Sequence, residues 1–170
     1  GFAGTLAAAG YDTAFIGKAH FATKATFQPT GTPECMRSLA KHGTGWRGPY
    51  MGFRHVQLIV LGHVNNPLPL ERPPVGHYER WLLSHGDEEE VLRLCTASDG
   101  ADTEGAAQTW HSVLPVAWHS SSWVGDRTVE FLSKRDRSKP FCAWVSFPDP
   151  HQPFDCPVPW SKDRKSTRLN

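Results

Sequence analysis

The chain has 170 residues, of which 39% are hydrophobic and 11% aromatic, enough material for one buried core. Its formal charge is +1, and because the last eight residues contribute three basic and one acidic side chain, the remainder carries 15 basic against 16 acidic groups. That balance does not support a basic nucleic-acid surface, and no stretch approaches the run of about 18 apolar residues that a membrane helix requires.

Phe2 to Ala9 read as the end of a helix, stopped at Gly10 in the manner of a C-cap glycine. Tyr11-Asp12-Thr13-Ala14-Phe15-Ile16 then reads as a short buried strand that runs out into Gly17-Lys18-Ala19-His20. The next region, residues 22–121, has weak periodicity and many glycine and proline breakers, the composition of loops with short embedded elements. Within it the alternation at His55 to Leu61 predicts a strand, Gly76 to His85 a short helix, and Asp87 to Leu94 a further acidic-headed turn of helix. Insertions of this kind commonly build a substrate rim. His63, His77, Tyr78 and Arg80 are therefore candidates to touch a substrate, with packing of the insertion as the alternative. Trp110, Trp118 and Trp123 read as core or rim aromatics, or as a platform for a sugar.

The opening pattern then recurs. Trp123, Val124, Arg127, Thr128, Phe131 and Leu132 fit one helical face, Lys139-Pro140 breaks the chain, and residues 141–147 are apolar enough on both faces for an inner parallel strand. That strand exits into Pro148-Asp149-Pro150-His151-Gln152-Pro153-Phe154. Helix-to-strand units of this type predict an α/β fold with a mostly parallel sheet. Ligands of such folds bind beyond the carboxyl ends of the strands, so Lys18, His20 and His151 are candidates to converge on one anion. The alternative is a solvated surface lysine and two loop histidines satisfied by backbone. A lysine supplies a fixed positive contact, and an imidazole changes charge near neutral pH, so it suits hydrogen-bond donation or proton transfer.

Residues 6–21, LAAAGYDTAFIGKAHF, resemble the helix-strand-GK-x-H stretch of the sulfatase family, and residues 139–154, KPFCAWVSFPDPHQPF, resemble its strand-PHxPF stretch. The order and separation of the two agree with that family. The resemblance implies an alkaline-phosphatase-like α/β/α sandwich and hydrolysis of the sulfate ester of a small molecule or carbohydrate. It implies catalytic roles for Lys18, His20 and His151, with Lys18 and His151 also binding substrate. Among the insertion candidates, His77 is the one set beside them as a substrate contact. The family more often has an aromatic residue where this chain has Ala19, a position whose side chain should point away from the anion because strand neighbours alternate faces.

The resemblance also implies a formylglycine nucleophile, made from the Cys or Ser of a C/S-x-P-x-R motif, and a calcium ion. No cysteine here has that context: Cys35 is followed by Met36-Arg37, Cys142 by Ala143-Trp144 and Cys156 by Pro157-Val158. The motif is therefore expected outside these residues, and the resemblance implies that all four metal ligands lie outside them as well. Residues 1–162 read as an internal fragment of the catalytic domain. Residues 163–170, DRKSTRLN, read as a non-native tail, because they back-translate into a sequencing adapter. Asp149 is assigned to turn formation and Cys142 to a buried apolar position. The four cysteines lack C-x-x-C spacing, which argues against a zinc or redox motif. A phosphonate monoester or phosphodiester hydrolase of the same superfamily, and a non-catalytic anion-binding module, remain the alternatives.

Overall fold

The computed structural model describes residues 1–21, 31–60, 76–101, 103, 105–106 and 108–163. His63, Leu61 and residues 164–170 lie outside that set. In chain order the elements are α1 (Phe2–Ala8), β1 (Asp12–Lys18), α2 (Met36–Leu39), β2 (His55–Ile59), α3 (His77–Leu83), α4 (Glu88–Thr96), α5 (Ser120–Lys134) and β3 (Phe141–Ser146).

The helix stop expected at Gly10 is a Schellman turn. Tyr11 N–H reaches Leu6 O at 3.0 Å and Gly10 N–H reaches Ala7 O at 3.3 Å, while Gly10 takes φ +90°, a backbone conformation that costs glycine nothing. The chain therefore turns directly from α1 into β1. At the head of α4, Asp87 accepts from Glu90 N–H at 3.2 Å, the N-cap that its short acidic side chain is suited to make.

The three strands form one all-parallel sheet in the order β2-β1-β3. β1 is thus the inner strand, and residues 13–17 are all buried. Its side chains alternate between two cores. Ala14 and Ile16 join Ile59, Tyr78, Leu82, Val91, Trp123 and Phe131 beneath α3, α4 and α5. Phe15 joins Ala3, Phe53, Val56 and Leu58 on the α1 side. Helices on both faces of a parallel sheet make this an α/β fold with three layers.

Among the described residues β3, expected to be an inner strand, pairs with β1 alone and stands at the edge of the three-stranded sheet. Phe141 and Trp144 are 41% and 42% exposed, and Cys142, expected to be buried, is only partly covered. An edge strand lacks a neighbour on one side, so an apolar run does not by itself place a strand at the centre. Leu132, expected on the inner face of α5, is 38% exposed, whereas Trp123, Val124 and Phe131 are buried.

The outer edge of β2 is closed by side chains and a loop. Val56 N–H donates to Arg47 O at 2.8 Å, Leu58 N–H to His77 Nδ1 at 3.0 Å and Val60 N–H to Glu79 Oε1 at 3.0 Å. An open edge strand would otherwise present these donors to any passing strand.

Candidate active site

β1 and β3 run parallel, with Gly17 opposite Ser146 in the register. Both basic loops therefore leave the sheet across the same carboxyl edge. The close fit depends on Gly17. It has φ +116°, and a Cβ built there would overlap the carbonyl oxygen of Ser146, so the glycine of the GK-x-H stretch is required by the backbone before any chemistry is considered.

Lys18 ends β1, opposite Ile59 of β2, and is half-buried. Burial holds its ammonium below the usual lysine value. Ala19 is buried in the core on the α1 side, and His20 beyond it is exposed. The small residue at position 19 is thus taken up by packing, with the polar residues to either side of it reaching solvent.

His151 is exposed on the β3 exit loop. Its Nδ1 lies 2.5 Å from Gln152 O, so Nδ1 carries the proton and donates, which leaves Nε2 as the reactive nitrogen. The loop is latched by a segment of the middle region. Phe154 N–H donates to Gln108 O at 2.8 Å, Trp110 N–H to Phe154 O at 3.1 Å, Ser112 N–H to Cys156 O at 3.2 Å and Val158 N–H to Ser112 O at 3.0 Å. This brace was not visible in the sequence, because residues 108–112 have neither the length nor the alternation of a strand.

His77 sits elsewhere. It is buried, its Nδ1 accepts from Leu58 N–H, and its Nε2 donates to Trp46 O at 2.7 Å. Both ring nitrogens are thus occupied by backbone, the packing alternative rather than a substrate contact. Burial, with smaller contributions from Arg47 and Arg80, lowers its pKa to about 4, against which the Trp46 carbonyl works. Tyr78 is likewise committed, donating its hydroxyl to Trp118 O at 2.9 Å and packing against Trp123 with ring centroids 5.6 Å apart.

Near the β3 exit the fold assembles a group that sequence reasoning missed: His119, Asp149 and Asp155, with one ligand atom from each lying within 4.8 Å of the others. Ser121 Oγ donates to Asp149, so that aspartate bonds to the first turn of α5 as well as standing in its own proline-flanked turn. His119 Nδ1 accepts from Ser121 N–H at 3.3 Å, so its Nε2 carries the proton and faces Asp155 Oδ1 at 3.6 Å. In that tautomer Nε2–H points towards a carboxylate from beyond hydrogen-bond distance, and the ring offers no free lone pair to a metal. The group does not fit calcium, which takes about 6 to 8 oxygen ligands.

All four cysteines are free. Cys95 is buried, and burial pushes its thiol up to about 12, the opposite of what a nucleophilic thiolate requires.

No family model matches the chain. Over 39 residues it is 46% identical to an arylsulfatase of Clostridium perfringens, a stretch that makes up 23% of this chain and 8% of that protein. The chain thus spans only a small part of the relative that it matches, and the similarity supports a sulfatase relationship at that level. Among the described residues no helix is long and apolar enough to cross a membrane.

Proposed function

We propose that this chain forms the anion-holding part of the active site of a sulfatase-like hydrolase acting on the sulfate ester of a small molecule or carbohydrate. The observation that carries the reading is the parallel register of Gly17 with Ser146, which sends the Lys18 and His151 loops out over one edge of the sheet. The short similarity to an arylsulfatase agrees with it.

In this reading Lys18 holds the non-bridging oxygens of the sulfate through charge. Its partial burial strengthens that contact, because water competes less for the ammonium. His20 donates to the same anion from the solvent side. His151 works through Nε2: with Nδ1–H held on the Gln152 carbonyl, the protonated ring donates to the bridging oxygen as the S–O bond breaks and that oxygen gains charge. The nucleophile is a formylglycine hydrate, and its calcium would help to neutralise the sulfate. Neither is assigned to a residue of this sequence.

The deciding experiment compares turnover of an aryl sulfate, an aryl phosphodiester and an aryl phosphonate by the longest natural protein that carries this sequence. Preferred hydrolysis of the sulfate is the expected result. Preferred hydrolysis of a phosphorus ester would reassign the enzyme within its superfamily. Sulfate binding without turnover of any of the three would make it an anion-binding module.

A further inference from the structure

Beside the closed outer edge of β2 lies a cleft of about 300 Å³, bounded by β2, α3 and α5 and by the loop before β2. Three guanidinium groups line it, Arg47, Arg80 and Arg127, together with the amide of Gln57 and the indole of Trp81. No carboxylate is among its described lining residues. Like charges that share a cleft of this size repel one another, and the fold does little to offset that repulsion from within.

The three arginines differ in how their donors are used. Arg47 gives Nη1 to Thr44 O at 3.2 Å and Trp46 O at 2.8 Å, both neutral carbonyls, so its charge remains uncompensated by these bonds. Arg127 pairs through Nη1 with Glu130 at 2.6 Å, outside the cleft, while its Nε is buried without a hydrogen-bond partner. Glu130 is itself shared with Lys134 at 2.7 Å, which weakens its hold on Arg127. The side chain of Arg80 has neither a hydrogen bond nor an ion pair among the described residues. Burial first and Arg47 second lower its pKa while the nearby Glu79 works against them, and Arg47 and Arg80 both disfavour protonation of His77 in the same wall. The Arg80 guanidinium has no bonded carboxylate among the described residues, and its planar fork of donors matches the oxygens of a sulfate or phosphate group.

We propose that this cleft is a second anion site, which takes a sulfate or phosphate group. Arg80 and Arg127 are its main ligands, Arg47 supplies further positive charge and Gln57 a neutral donor. It is distinct from the edge carrying Lys18 and His151. Thr44, Arg47, His77 and Arg80 place it along the outer flank of β2, and Gln57 pairs with Ile16 in the middle of β1. The indole of Trp81 gives the cleft an apolar wall, so a group carried on an organic body would find contact area there in addition to charge.

The test titrates inorganic sulfate and, separately, inorganic phosphate into the 170-residue chain at constant ionic strength set with chloride. The side-chain Nε–H resonances of the arginines and the thermal midpoint are followed together. Saturable shifts at Arg80 and Arg127, with affinity at least about tenfold weaker in Arg80→Gln and unchanged in Lys18→Gln, are expected from the loss of a charge-assisted pair. Tighter binding of one anion identifies which group the site takes. Arg80→Lys should retain part of the affinity, because charge survives while the fork is lost. If Arg127→Gln fails to fold, the partly exposed Arg80 carries the test alone. Binding abolished by Lys18→Gln but untouched by Arg80→Gln would overturn the second site while leaving the sheet-edge site standing. Shifts no larger than those produced by chloride would overturn it as well.

Discussion

The two basic loops leave one sheet edge but are held there by different means. The first is positioned by its own strand: Gly17 lies against the Ser146 carbonyl, Ala19 is buried, and Lys18 takes its direction from the register between β1 and β2. The second leaves an edge strand, and its path depends on four backbone hydrogen bonds to residues 108–112, more than 35 positions away along the chain. A loop that continues an inner strand inherits the rigidity of the sheet. A loop that follows an edge strand needs a brace from elsewhere, and here the middle region, read from its sequence as a substrate rim or a packed insertion, provides it.

The sharpest way to break the first arrangement is Gly17→Val. The added side chain meets backbone that cannot move without parting β1 from β3, so a loss of about 4 kcal/mol or more in unfolding free energy is expected, read by denaturant titration. A stability within about 1 kcal/mol of the parent would mean that the strands do not approach as closely as described.

Acid should act next, through the edge of β2 that supports the first loop. The pKa of His77 is lowered in the fold to about 4 from 6.5, so the native state binds fewer protons there than the unfolded chain does. The stability that depends on its neutral ring is present in full above pH 6.5 and is lost as the pH falls towards 4. This amounts to roughly 3 kcal/mol at most. His77→Gln should flatten the stability profile across that window. An unchanged slope would remove His77 from the account.

For the second loop, His151→Ala in the longest natural protein is expected to lower turnover roughly 10²-fold, with little change in melting temperature, because the exposed ring contributes scant packing. Gln152→Ala is the control and should change turnover much less. Equal losses at the two positions would make His151 structural.

The brace can be weakened separately. Ser112→Pro removes the donor to Cys156 O, at a cost of about 1–3 kcal/mol. The imidazole resonances of His151 should broaden while those of His20 stay as they were. Equal broadening of both would indicate that the two loops are not held independently.

Much of the frame was legible in the residues. The Gly10 stop, the burial of β1 and the approximate extents of β2, α3, α4 and α5 follow from local rules, namely helix capping, side-chain alternation and the spacing of an apolar helical face. The pairing of the GK-x-H and PHxPF ends at one sheet edge was legible as well, since parallel strands must leave the sheet in the same direction. What could not be read was every feature that depends on which residues become neighbours. An apolar run has the same composition at the centre or the edge of a sheet, so the sequence of β3 does not reveal that it has one partner strand. His77 is one histidine among nine until the fold turns its ring to the N–H of Leu58. His119 and Asp155 are 36 positions apart and meet only because α5 brings its first turn back to the end of β3. Local propensity and periodicity are short-range, and so they determine the elements. Edge caps, loop braces and clusters of charge arise from long-range packing, and only the tertiary structure decided them.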